Sequence, residues 1–188
     1  MRRVFEEGVA AELAREPDLT TRILIFLSWL NEYLESRGLG RVILVGGFAV
    51  EVYTGSTYRT LDVDIVVTGG VDLVRSFLDA IADRVGRTWV PRLSPLAERG
   101  IDLVGTVPTG KRRPVELRVR GRRLYVEATE DLIVKSLAGW KFWNSEEDRD
   151  KAILLLRALR GRIDLEYIRR RAKEEGVLDV LEEAEGVA

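Results

Sequence analysis

Residues 42–67, VILVGGFAVEVYTGSTYRTLDVDIVV, restrict the fold more than any other stretch of the chain. Val42-Ile43-Leu44-Val45 is a short apolar, β-branched run and reads as a buried strand. Gly46-Gly47 breaks it, and Phe48 to Tyr53 then carries apolar residues at near-helical spacing. After a Gly55-Ser56-Thr57 loop, Leu61 to Val67 reads as a second strand with Asp62 and Asp64 at its start. Side chains two apart on a strand share a face, so the two carboxylates point the same way. A cation between them is one way to relieve their mutual repulsion. Hard divalent ions such as Mg²⁺ or Mn²⁺ take such carboxylates together with substrate phosphates. The glycine pair lets backbone approach a bulky anion, and the helix after it would aim free N–H groups and a positive dipole end at that anion. One segment thus offers a phosphate cradle and the next a metal clamp.

Composition narrows the chemistry. The 188 residues include no cysteine and no histidine, which excludes disulfides, thiolate nucleophiles, His-ligated zinc and a histidine general base. Carboxylates with a metal are the site such a chain builds most readily. Thirty basic residues stand against 31 acidic ones, so nucleic-acid binding by net charge alone is not expected, although local basic patches remain open. High charge, no cysteine and one methionine suit a thermophile; codon bias explains the arginine excess equally well. No apolar run reaches membrane-spanning length and the N-terminus lacks a long apolar core, so no membrane partner and a cytoplasmic location are expected.

Gly46-Gly47, fourteen residues, and then Asp62-x-Asp64 resemble the signature of the DNA polymerase β-like nucleotidyltransferase superfamily. The surrounding residues are similar to its small prokaryotic branch of AbiEii-type toxins and minimal nucleotidyltransferases. Thr60 matches a threonine common two residues before the first aspartate. The arginine often found four before it is displaced here: position 58 is Tyr and Arg59 follows. The resemblance implies an α/β (α+β) fold, a mixed sheet flanked by helices with a C-terminal helical part. It implies transfer of NMP from an NTP to a hydroxyl acceptor with release of pyrophosphate. The metal ligands and catalytic residues would be Asp62, Asp64 and a third carboxylate, best matched by Asp102, with Glu116 and Glu127 as competitors. Gly46, Gly47, Arg59, Thr60, Lys135, Asp148 and Asp150 would contact or orient the nucleotide. The acceptor is left open, with tRNA, a protein side chain or a small antibiotic-like molecule all compatible. A cognate antitoxin protein is the partner that a toxin role would bring.

The rest of the chain is organised around this unit. Residues 2–15 read as a helix ended by Glu16-Pro17, and Asp18 can cap a second over Leu19 to Ser36, with Ile23, Phe26, Leu27, Leu30 and Leu34 on one stripe. Val71 to about Val85 reads as helix, 87–90 as a short strand, Pro91 to Gly100 as a loop and Ile101 to Val104 as a strand. Val115 to Val119 and Leu124 to Glu127 alternate around Gly121 as a hairpin. Four helices follow, over 130–143, 146–160, 164–175 and 177–184, with Ser145 and Asp148 spaced as a capping box. The expected organisation is a core over 1–128 with N-terminal helices and a helical extension over 129–188.

Plainer readings stand beside each assignment. Gly46-Gly47 could be an ordinary tight turn, and Asp62 and Asp64 solvated gatekeepers at a strand end. Asp102 could be a polar residue on a half-exposed strand. Asp131 and Lys135 form an i, i+4 pair that needs no substrate. Trp140, Phe142 and Trp143 read as core aromatics before they read as a stacking platform. Lys111-Arg112-Arg113 with Arg118, Arg120, Arg122 and Arg123 forms a basic stretch, either a solvated face or a phosphate-backbone contact. Two rival functions follow: a degenerate domain that binds nucleotide, RNA or protein without turnover, and an Asp-x-Asp glycosyltransferase.

Overall fold

A computed structural model describes residues 1–55 and 57–188; Ser56, in the predicted Gly55-Ser56-Thr57 loop, lies outside them. The described residues form two compact units. The first comprises Met1–Val45, Thr60–Thr109 and Val115–Val126, and the second Gly46–Arg59, Gly110–Pro114 and Glu127–Ala188.

The first unit carries a seven-stranded mixed sheet. In chain order the strands are β1 (Val42–Leu44), β2 (Asp62–Val67), β3 (Ala82–Val85), β4 (Thr88–Pro91), β5 (Gly100–Gly105), β6 (Val115–Val119) and β7 (Arg122–Val126). Their spatial order is β3-β4-β5-β2-β1-β7-β6, so β2 is the central strand. That is where its Ile65-Val66-Val67 run, apolar on both faces, belongs. β2 runs antiparallel to β1 and parallel to β5. The end of β1 therefore lies beside the start of β2, and the Val45 N–H donates to the Asp64 carbonyl at 3.0 Å.

The helices of this unit are α1 (Arg2–Gly8), α2 (Ala10–Arg15), α3 (Leu19–Glu35) and α5 (Val71–Ile81). The first predicted helix is broken at Val9, directly after Gly8, a weak helix former. Asp18 caps α3 by accepting from the Thr21 N–H at 2.7 Å, and all five predicted stripe residues are fully buried. Phe5 of α1 meets Phe26 and Trp29 of α3 and Phe77 of α5 edge-on, with ring centroids 5.2–5.9 Å apart. Asn31, fully buried on α3, accepts from the Val42 N–H and donates to the Arg123 carbonyl, both at 2.9 Å, which ties the helix to β1 and β7.

One prediction fails here. The helix expected over 71–85 stops at Ile81, and Ala82 turns extended to start β3. Its residues are tolerable in a helix, but pairing with β4 decides, from Ala82↔Pro91 to Val85↔Thr88. Gly86 and Arg87 make the two-residue turn of this hairpin, with Gly86 at φ +63°.

The second unit is helical: α4 (Gly46–Tyr53), α6 (Thr129–Trp143), α7 (Glu146–Ala158), α8 (Leu165–Glu174) and α9 (Leu178–Val187). α4 packs on α6 and α7, and α8 and α9 pack on the α6–α7 pair. Ser145 caps α7 by accepting from the Asp148 N–H at 3.2 Å, as its spacing predicts. Among the described residues no helix is long and apolar enough to cross a membrane.

Candidate active site

In the first unit, the parallel register pairs Asp62 with Gly100 and Asp64 with Asp102. Partners in register share a face, so Asp62, Asp64, Gly100 and Asp102 all lie on one side of the sheet. The alternate residues Val63, Ile65 and Ile101 are fully buried on the other. Farther along the carboxylate side the surface turns apolar, with Ile43, Val66 and Tyr125 clustered beside Val45. Asp62 is exposed, Asp64 half-buried and Asp102 only 3% exposed, which makes a graded acidic face open at one end. Gly100 keeps this face open. A Cβ there would run into Thr88 Cγ2 and sit 3.2 Å from Asp62 Oδ1. Thr60 turns the chain into β2, its hydroxyl accepting weakly from the Asp62 N–H at 3.4 Å.

The two oxygens of Asp102 differ. Oδ2 accepts from Arg87 Nε at 2.9 Å, whereas Oδ1 is buried and has no hydrogen-bond partner. A buried carboxylate oxygen left unpaired costs about 1–3 kcal/mol, and such atoms mark places where an ion, water or substrate belongs. The donor set, three carboxylates on one strand pair, suits a hard divalent cation. Among the described residues no three acidic side chains are drawn together into a ready-made cage. The face is a set of adjacent ligands rather than a closed site.

In the second unit, Gly46 opens α4 with φ +65°, a left-handed conformation that costs other residues about 1–2 kcal/mol, and buried Gly47 follows it into the helix. The glycine pair is therefore part of the helix start rather than a break before it. Arg59 lies 3.6 Å from Glu51, a carboxylate fully buried in α4. Lys135 Nζ bonds to Glu127 Oε1. Burial pushes the Glu127 carboxyl up, although the bond to Lys135 pulls the other way. Asp148 accepts from Lys151 at 3.1 Å, and Asp150 is exposed with Arg149 3.8 Å away. Burial alone would lower the Lys151 ammonium, but hydrogen bonds to Glu147 and Asp148 hold it above its ordinary range. Arg59, Lys135, Asp148 and Asp150 thus each have a charged partner within this unit.

Sequence reasoning missed several residues. Asp131, read as a surface partner of Lys135, is buried. Its Oδ1 accepts from the Tyr167 hydroxyl at 2.8 Å and its Oδ2 from the Arg112 N–H at 2.7 Å. Gly110 is where the two acids meet, since a Cβ there would sit 2.9 Å from both Asp131 Oδ2 and Glu127 Oε1. Tyr53 donates to the Glu127 carbonyl at 2.9 Å, and burial pushes its phenol up to about 12. Nothing in the local pattern at 110, 127, 131 or 167 signals this network. Arg87 was missed for a different reason: reading 71–85 as helix hid the hairpin that carries it. Gly86 between Val85 and Thr88 is the signal that finds it.

The aromatic and basic features resolve differently from expectation. Trp143 is 83% exposed and Phe142 57%, so these two are not core residues. Trp140 is half-buried with the Arg149 guanidinium 5.4 Å from its ring centroid. The hairpin arginines meet acids: Arg118 pairs with Glu116, Arg120 with Glu12 and Glu16, Arg122 with Glu12 and Glu32, and Arg123 with Glu35. Arg112 pairs with Glu130 and Asp164. The basic stretch is largely neutralised by its own chain.

No protein-family model and no curated protein matches the chain. Solved structures do. An antigenic nucleotidyltransferase-like protein from Paracoccidioides brasiliensis aligns with TM-score 0.53 at 16% identity, over 86% of this chain and 92% of that one. The fold is nucleotidyltransferase-like. The antibiotic-resistance factor ANT(2″)-Ia aligns in its solution structure with TM-score 0.51 at 14% identity, over 88% and 97% of the two chains. In its complex with adenylyl-2″-tobramycin it aligns with TM-score 0.52 at 12% identity, over 82% and 95%. Identity this low makes the likeness one of fold.

Proposed function

We propose that the chain is a metal-dependent nucleotidyltransferase that moves NMP from an NTP to a hydroxyl acceptor. The observation that carries this reading is the acidic face of β2 and β5, where a buried, unpaired oxygen of Asp102 stands in register with Asp64 and on the same side as Asp62. These three carboxylates would hold Mg²⁺ or Mn²⁺, which when bound neutralises phosphate charge and stabilises the entering and leaving oxygens. Gly46, Gly47 and the N–H groups at the start of α4 would take phosphate oxygens. Arg59 and Lys135 would exchange their present carboxylate partners for phosphate. Asp148 keeps Lys151 in place on α7, and the resemblance would give Thr60 and Asp150 a part in orienting the nucleotide. The acceptor hydroxyl would lose its proton to a carboxylate of this face that is not holding the cation as its own oxygen bonds to the α-phosphorus. The bond from that phosphorus to the bridging oxygen breaks, and pyrophosphate leaves with the electron pair.

The charge pairing of the hairpin bears on the acceptor class. The hairpin arginines that would meet an RNA backbone are paired with acids of their own chain, which favours a small hydroxyl-bearing molecule over tRNA; ANT(2″)-Ia, with its adenylyl-tobramycin complex, has a similar fold. Incubation with each NTP, Mg²⁺ or Mn²⁺, and either aminoglycosides or total tRNA tests this, with labelled acceptor as the readout. Label on neither acceptor, together with metal-dependent NTP binding, would favour a domain that binds without turnover. The engagement of Arg59, Lys135 and Asp102 by the chain's own residues is the observation behind that second reading.

A further inference from the structure

We infer that Arg87 is a positioning residue for the cation site: it holds Asp102 by Oδ2 so that Oδ1 stays free to serve as a ligand. This rests on the proposed function. Thr88 pairs with Asp102 across β4 and β5, and Asp102 pairs with Asp64 across β5 and β2, so the three stand in one row across the sheet. The hairpin turn sets Arg87 one residue before Thr88, at the end of that row. From there its side chain, 84% exposed, reaches a carboxylate that is nearly buried.

The manner of the contact carries the argument. A guanidinium placed only to neutralise Asp102 would engage both oxygens in the two-pronged geometry that arginine favours. Arg87 uses Nε alone, on Oδ2, at 2.9 Å. Among the described residues the guanidinium has no other partner, and Oδ1 has none. Asp102, on the sheet face that carries Asp62 and Asp64, is thus held by one oxygen and left with one unused acceptor. Ligating carboxylates are commonly held in this way by a hydrogen bond to the oxygen that does not ligate, and losing such a partner typically weakens metal affinity about 10–100-fold. The opposite possibility, a latch that competes with the cation, predicts the reverse sign.

Titration of Mn²⁺ alone into the full chain, read by loss of the free-ion electron paramagnetic resonance signal, separates these. Wild type should bind Mn²⁺ and Asp64→Asn should not. Arg87→Ala should weaken binding at least about tenfold, and Arg87→Lys should restore most of the loss. In an Asp102→Asn background, Arg87→Ala should add nothing further, because the two act as one unit. If Arg87→Ala does not fold, the Arg87→Lys and Arg87→Gln pair gives the same comparison, with Lys retaining more affinity than Gln. Unchanged or tighter binding in Arg87→Ala, with Asp64→Asn still inert, overturns the role of Arg87 and leaves the metal site standing. An equal loss in the Asp102→Asn background also overturns it. No Mn²⁺ binding by wild type overturns both readings together.

Discussion

Two acidic regions of this protein invite the same first description and behave oppositely. On β2 and β5, Asp62, Asp64 and Asp102 stand side by side, two of them at least partly open to solvent, and one oxygen of the third is unpaired. Around Gly110, Glu127 and Asp131 also stand side by side, but Lys135, Tyr167 and the Arg112 backbone satisfy them. The first is an incomplete hydrogen-bond system and the second a complete one. Completion is what separates a lock from a site: a satisfied buried network rigidifies, whereas an unsatisfied one has room for a ligand. Number of carboxylates and closeness in sequence do not make the distinction.

Substitutions can break this contrast, the largest effect first. Asp64→Asn should lower nucleotidyl transfer by at least about 10²–10³-fold, the scale for losing a group that stabilises transition-state charge, with little change in thermal midpoint. A rate assay with a melting curve checks both halves. Asp131→Ala should do the reverse. It strips partners from Tyr167 and the Arg112 N–H, and should cost about 2–4 kcal/mol of stability in urea unfolding, with activity per folded molecule retained.

The Glu127 carboxyl sharpens the comparison through pH. Its folded value lies above the ordinary 4.5 because burial disfavours the charged form. The folded state therefore holds its proton more tightly than the unfolded one. The stability this contributes is fully present below pH 4.5 and is lost as pH rises through the raised folded value. Glu127→Gln should flatten that decline, which denaturation midpoints across the window would register. A decline of equal steepness in the variant would assign it to other groups. At the small end, Gly46→Ala should cost about 1–2 kcal/mol through its left-handed backbone. Arg120→Ala, which removes a half-exposed ion pair, should cost under about 1 kcal/mol. It should also leave acceptor labelling unchanged.

How much of this was legible depended on how local the signal was. β1, β2 and the glycine pair could be read because strand alternation and glycine are encoded residue by residue. The side of the sheet shared by Asp62 and Asp64 followed from period two alone. Asp102 could be proposed on its strand, yet the register that sets it opposite Asp64 is a tertiary fact. β3 was hidden because Ala82 to Val85 suits a helix until β4 offers a partner. Trp143 sits at helical spacing among apolar residues, and spacing does not say whether a neighbour covers it; none covers most of its surface. The Gly110–Asp131–Tyr167 contacts join residues up to 36 positions apart and leave no local trace.

The measurement that bears most directly on the central claim is pyrophosphate release from each of the four NTPs. It would be made with Mg²⁺ or Mn²⁺ and with aminoglycosides or tRNA, on wild type and Asp64→Asn in parallel. The acidic face predicts release that requires metal, an acceptor and Asp64. Release that persists undiminished in Asp64→Asn would contradict the catalytic assignment of β2. So would metal-independent release in wild type.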